Sequence, residues 1–177
     1  MRLFIGLRPP APIRDTLQAT MHGVTGARWQ DDDQLHVTLR FIGEVSDRVA
    51  EDIADGLRSI VAPPLAVRLD GVGVFAKRGR PGALWAGVTP AEPLAHLHRK
   101  VDRTLVAMGL PPEGRAYLPH ITLARLNGGS GPVESWLGVH ANLSSPAFTV
   151  ADFLLFESIL GRAGATYNAI ARYPLRG

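Results

Sequence analysis

"LHVTLRF", residues 35–41, and "LPHITLAR", residues 118–125, share one pattern: a histidine, a β-branched apolar residue, a threonine and a leucine. Side chains along a β-strand alternate between its faces. Val37 and Leu39 therefore point one way and His36 and Thr38 the other, and Ile121 and Leu123 oppose His120 and Thr122 in the same manner. Each strand is predicted to have an apolar core face and a second face carrying an imidazole and a hydroxyl. A single histidine in a strand is ordinarily a surface or hydrogen-bonded structural residue. Two copies, 84 residues apart in a chain of 177, point instead to one domain of two similar lobes, each contributing one such strand to a shared groove.

The flanking segments set the fold class. "RLFIGL" (2–7) reads as a buried strand, and Pro12 suits the first turn of a helix with Ile13, Leu17, Met21 and Val24 at helical spacing. Ser46 is placed to cap a helix whose apolar stripe is Val49, Ile53, Leu57 and Ile60. "APPLAVRLDGVGVFA" and "GALWAGV" read as a hairpin around the basic loop "KRGRPG". A third helix carries Leu94, Leu97, Val101, Leu105 and Met108, with Gly109 ending it in the left-handed conformation. A short helix within "GGSGPVESWLGV" and strands in "AFTVADFLLFES" and "YNAIARYPL" complete the chain. Hairpins in place of steady strand–helix alternation predict an α+β fold with antiparallel sheet.

Composition narrows the chemistry. With 46% hydrophobic and 20% charged residues the chain has the profile of a globular protein. Its apolar runs are too short for a transmembrane helix or a signal-peptide core, so a cytoplasmic protein is expected, and a monomer because no helix shows a second apolar stripe. The absence of cysteine excludes disulfides, thiolate catalysis and cysteine-ligated zinc. A net charge of +3 permits an anionic partner without requiring one. Phosphate-binding loops of the Gly-x-x-x-x-Gly-Lys type, His-Glu-x-x-His and Gly-x-Ser-x-Gly are all missing. His96 and His98 are two apart on a helix and do not face each other, so His96 is expected in solvent and His98 at the edge of the packed face. The run Asp31–Asp33 reads as a solvated loop rather than a metal site, and His22 and His140 have no evident partner. No metal or cofactor is implied.

Two imidazoles in one groove suit phosphodiester cleavage. Near neutral pH, with an ordinary pKa of about 6.5, one can be neutral and act as base while the other is charged and acts as acid. Each proton transfer is typically worth about 10²- to 10⁴-fold in rate. Threonine hydroxyls donate to the non-bridging oxygens, and an arginine offsets the phosphate charge.

"RLFIGLRPP", "LHVTLRFIGEV", "GALWAGV" and "YLPHITLAR", in this order along essentially the whole chain, together resemble the 2H phosphoesterase superfamily, and within it the bacterial and archaeal RNA 2′,3′-cyclic phosphodiesterases historically called 2′-5′ RNA ligases. The resemblance implies a bilobal fold with one His-x-Thr-x motif per lobe facing a central cleft. It implies metal-free hydrolysis of an RNA terminal 2′,3′-cyclic phosphate to a 2′-phosphomonoester, and in reverse an ATP-independent 2′-5′ joining of RNA ends. By that resemblance His36 is the proton donor and His120 the proton acceptor, with Thr38, Thr122 and Arg125 on the phosphate; the residues by themselves leave the two histidine roles open. Simple alternation objects to Arg125, which falls on the face of Ile121 and Leu123 unless the strand bulges after Thr122, and favours Arg40 in the first copy. Phe41, Trp85 and Tyr117 are candidates to stack on a base, and Lys77, Arg78 and Arg80 to follow an RNA backbone. Phe41 shares the parity of Val37 and Leu39, which argues for the core. The alternatives are an enzyme of the same site acting on a small cyclic phosphate or a 2′-5′ oligonucleotide, and a protein that binds RNA ends without catalysis.

Overall fold

In β1 (Arg2–Leu7), Leu3, Ile5 and Leu7 are fully buried, as alternation requires, and the chain then turns at Pro9 and Pro10 into α1 (Ala11–Gln18). The computed structural model describes all 177 residues. β2 (Arg28–Trp29) and β3 (Val37–Glu44) follow, then α2 (Asp47–Gly56), the long hairpin β4 (Leu65–Lys77) and β5 (Arg80–Thr89), and α3 (Ala91–Ala107). β6 (His120–Arg125), α4 (Glu134–His140), β7 (Phe148–Val150), β8 (Asp152–Gly161) and β9 (Gly164–Pro174) complete the α+β chain.

Every strand pair is antiparallel, in the order β7-β4-β5-β6-β3-β1-β8-β9, with β2 added to β6. The two motif strands, β6 and β3, lie at the centre and are joined at one residue pair, Val37 opposite Ile121. "AFTVADFLLFES" is two strands rather than the expected one: β7 pairs with β4 at one edge, and Ala151 alone separates it from β8, which pairs with β1 toward the other edge. The chain thus passes from the β4 edge to the strand beside β1 through a single residue.

Local signals place the helices with three corrections, the first being that α2 ends at Gly56, so that Leu57 lies in a 3₁₀ turn and Ile60 beyond it. Ser46 Oγ accepts from the Val49 N–H at 3.2 Å, capping α2 as its position predicts. Leu94, Leu97, Val101 and Leu105 form the fully buried stripe of α3, and Gly109 takes the expected positive φ of 98°. Met108, assigned to that stripe, is instead 38% exposed at the helix end. α1 stops at Gln18 rather than continuing to Val24, because the Thr20 hydroxyl bonds back to the Leu17 carbonyl at 2.7 Å and Gly23 turns the chain at φ 89°. Val24 still reaches the core from that turn. No helix is long and apolar enough to cross a membrane.

Candidate active site

The Val37–Ile121 pair fixes the arrangement of both motifs. In an antiparallel register, pairing 37 with 121 sets His36 across from Thr122 and Thr38 across from His120 on the opposite face. The alternation holds where it matters: Val37, Leu39, Ile121 and Leu123 are buried, while His36, Thr38, His120 and Thr122 line a groove of about 800 Å³.

Both imidazoles are held alike. His36 Nδ1 lies 2.7 Å from the Gln34 carbonyl oxygen, and His120 Nδ1 lies 2.7 Å from that of Leu118. A carbonyl only accepts, so each Nδ1 carries the hydrogen and each Nε2 is left for the groove. In neutral His36 that Nε2 accepts from the Thr38 hydroxyl at 2.9 Å. Burial pushes the His36 pKa down to about 4, against the Gln34 hydrogen bond, with help from the charges of His120, Arg125 and Arg8. His120 is lowered by burial and by Arg125, again against its backbone hydrogen bond. The unliganded groove therefore holds both imidazoles neutral at pH 7.

Arg125 does face the groove, and a bulge is the reason. Along β6, Ala124 pairs with Leu84 but Thr122 pairs with Trp85, so Leu123 is the extra residue. Leu123 and Ala124 are consecutively buried, and Arg125 emerges on the face of His120 and Thr122 without any ion pair. β3 bulges at the same place. Arg40 pairs with Ile5 and Thr38 with Gly6, leaving Leu39 extra.

That second bulge changes what the next two residues offer the groove. Arg40, given the groove by alternation, does line it but is only 7% exposed and already engaged; its Nε donates to Asp102 Oδ1 at 2.7 Å, and its guanidinium also bonds the Phe41 and Pro111 carbonyls. Burial raises the Asp102 carboxyl, but hydrogen bonds from Arg40 and the Glu113 N–H outweigh it and hold the pKa below the usual range. Phe41, given the core, is 46% exposed in the groove with the Arg2 guanidinium 5.4 Å above its ring. Phe41 occupies in one motif the position of Arg125 in the other.

The remaining candidates separate. Tyr117 lines the groove, but its hydroxyl donates to the Thr38 carbonyl at 3.0 Å and its ring stacks on His98 at 4.4 Å. His98 is buried, with its Nδ1 donating to the Leu39 carbonyl at 2.6 Å. His96 is in solvent, as expected. Trp85 does not line the groove; it covers Gly73 and backs Phe75, which meets His120 edge-on at 4.9 Å. Lys77, Arg78 and Arg80 are exposed at the tip of the β4–β5 hairpin. Asp31–Asp33 is not merely solvated, because Asp32 accepts from Arg14 and Gln18 at 2.9 Å and Asp33 pairs with Arg8 at 3.3 Å, tying the turn before His36 to the start of α1. His22 and His140 do meet, with ring centroids 6.2 Å apart. No group of three or more histidine or acidic side chains is placed to hold a metal ion.

Residues 9–160 match the family model for the 2'-5' RNA ligase superfamily. The chain belongs to that superfamily. An RNA 2',3'-cyclic phosphodiesterase of Aeropyrum pernix is 35% identical over 90% of this chain and 91% of its own length, and one of Archaeoglobus fulgidus is 28% identical over 95% and 97%. Among solved structures, a Thermus thermophilus protein superposes with a TM-score of 0.80 at 26% identity over 100% of this chain and 99% of its own, and Escherichia coli LigT complexed with 3'-AMP with 0.78 at 25% over 99% and 98%. The fold is the 2H phosphoesterase fold of these superfamily members.

Within this member several site neighbours carry no motif signature. His36 packs on Phe4 at 4.8 Å and on the edge of Tyr167 at 5.4 Å. Phe4 is legible in the sequence as the alternate face of "RLFIGL"; Tyr167 comes from a hairpin 131 residues beyond His36 and has no local signal. Gly6 is a close-approach position, since a Cβ there would sit 2.8 Å from the Val37 carbonyl and 3.3 Å from His36 Cδ2. Gly6→Ala is expected to cost about 1–3 kcal/mol of stability through overpacking and to lower turnover by displacing the imidazole. Denaturant unfolding and initial rates on the same preparation would check both; unchanged rates would show that the His36 ring does not depend on this close approach.

Proposed function

We propose that this protein hydrolyses the 2′,3′-cyclic phosphate at an RNA end to a 2′-phosphomonoester without a metal ion. The observation that carries the reading is the matched pair of imidazoles, each with Nδ1 pinned to a backbone carbonyl and Nε2 turned toward one groove that also holds Thr38, Thr122 and the unpaired Arg125. The 35% identity to the A. pernix RNA 2',3'-cyclic phosphodiesterase supports the substrate, and we read the two four-strand halves as duplicated lobes.

The phosphate monoanion enters a groove whose imidazoles are neutral. Its charge favours protonation of a neighbouring imidazole, which offsets the burial that keeps His36 uncharged. The Thr38 hydroxyl then turns from His36 Nε2 to a non-bridging oxygen, Thr122 serves the opposite side, and Arg125 neutralises the charge. His120 Nε2 takes a proton from water as its oxygen bonds to phosphorus. His36 Nε2 delivers a proton to the departing 3′ oxygen. One P–O bond forms and one breaks, and the 2′-phosphate remains. A 5′-hydroxyl attacking in place of water opens the ring in the same sense and gives a 2′-5′ linkage, with ring strain supplying what ATP supplies elsewhere. Phe41 offers a stacking face for the terminal base.

The test is turnover of an RNA ending in 2′,3′-cyclic phosphate in excess chelator, with the product phosphate located by mass and nuclease mapping. Full turnover and a 2′-phosphate are expected. Loss of turnover on chelation would sink the metal-free mechanism, a 3′-phosphate would reverse the cleavage direction, and tight binding without ring opening would mark a protein that only holds RNA ends.

A further inference from the structure

The cations at the tip of the β4–β5 hairpin lie outside the groove that holds the two histidines. Arg78 and Gly79 both have positive φ, 55° and 75°, forming the tight two-residue turn that joins Lys77 to Arg80 across the strands. None of Lys77, Arg78 and Arg80 has an acidic partner. Three unpaired cations on one short turn repel one another, and a left-handed arginine adds strain that glycine would remove. Such a tip is suited to an anion that is absent from the free protein.

Its position says which anion. Phe75 packs edge-on against His120, and Lys77 follows two residues later on the same face of β4, about 7 Å further along the strand. The tip thus continues outward from the His120 side of the groove. The His36 side is lined by Phe4 and Tyr167. Displacement at phosphorus is in line, so the nucleophile and the leaving oxygen lie on opposite sides of the phosphate. With His36 on the leaving 3′ oxygen, the strand bearing the cyclic phosphate lies toward His36, and whatever attacks comes from the side of His120, Phe75 and the basic tip.

We propose that the Lys77–Arg80 tip, with the Phe75 ring, docks a second RNA strand, the one whose 5′-hydroxyl attacks the cyclic phosphate in the joining direction. The inference rests on the proposed phosphodiesterase site and its histidine roles. The 5′ oxygen bonds to phosphorus while its proton passes to His120, and the bond to the 3′ oxygen breaks while that oxygen takes the proton of His36. No further reactant is needed. Phe75 receives the first base of the incoming strand, and the cations take its following phosphates.

The experiment follows ring opening and joining in the same tube, using a short RNA with a 2′,3′-cyclic phosphate and a 5′-hydroxyl oligonucleotide. The variant is K77S/R78G/R80S, in which glycine fits the φ at position 78, with R80E as a second variant that leaves the turn intact. The ratio of joining to opening is expected to fall about tenfold or more. The dependence of log joining rate on log salt should flatten by about 0.7 for each phosphate that the variant no longer holds. A ratio within twofold of wild type, an equal fall in both reactions, or a wild type that opens the ring but never joins at high oligonucleotide concentration would each overturn the inference. A wild type that leaves the ring closed would instead overturn the phosphodiesterase reading beneath it.

Discussion

His36→Ala and His120→Ala are each expected to lower ring opening by about 10²- to 10⁴-fold, the value of one proton transfer. The two losses have different chemical causes, and a substrate can tell them apart. In a cyclic substrate with sulfur in place of the 3′ oxygen, the leaving group departs as a thiolate, which needs no proton. On that substrate the deficit of the acid variant should shrink to a few-fold, while the base variant stays impaired. His36→Ala is expected to be the variant rescued. Rescue of His120→Ala instead would exchange the two roles, and normal turnover of either variant on the natural substrate would remove paired-histidine catalysis altogether. This comparison is needed because a pH profile cannot assign the roles: the form with one proton on either ring titrates identically.

Arg125→Gln should lower kcat/KM by about 10²-fold, in line with the removal of one preorganised donor to a charged transition state. It should also move the pH profile. For wild type, kcat/KM reports the free protein, where burial and Arg125 hold both imidazoles below 6.5, with His36 near 4. The bell therefore peaks on the acid side of 6.5. Removing the guanidinium charge makes protonation of both rings easier, so both limbs move to higher pH. A fall in rate with an unmoved optimum would show that Arg125 touches the phosphate without setting the field at the histidines. An unchanged rate would remove it from the site.

The two arginines also show where alternation stops being a guide. Counting faces from His120 puts Arg125 in the core, yet it faces the groove; counting from His36 puts Arg40 in the groove, which it lines only as a buried guanidinium held by Asp102, and the two outcomes have one cause. Leu123 and Leu39 are each the extra residue of a bulge, so the side chains that follow them directly change face, until a second shift at Ile42 resets β3. A bulge belongs to a pair of strands, and here the partners, β5 and β1, lie about 40 and 35 residues away in sequence. Nothing within "HITLAR" or "HVTLRF" announces it, since leucine is equally at home on a regular buried face. Phe41 changes face with Arg40 for the same reason.

Other parts are local and so are legible. The Ser46 cap, the Leu94–Leu105 stripe and the left-handed Gly109 are decided by neighbours within a few residues. His98 is not, because its burial depends on the Leu39 carbonyl and the Tyr117 ring, both supplied by other elements. The acidic run Asp31–Asp33 likewise acquires its meaning from Arg8 and Arg14, at the end of the preceding strand and on the helix after it.

By itself the amino-acid order determined that His36 and Thr38, and His120 and Thr122, each share a face opposed to buried apolar residues, because a strand's period of two is a property of the backbone. Only the tertiary structure decided that the two faces meet in one groove, through the single Val37–Ile121 pair, and that a guanidinium and an aromatic ring follow them there. Those outcomes depend on which strands pair and where the register slips, and both are set by contacts between segments far apart in the chain.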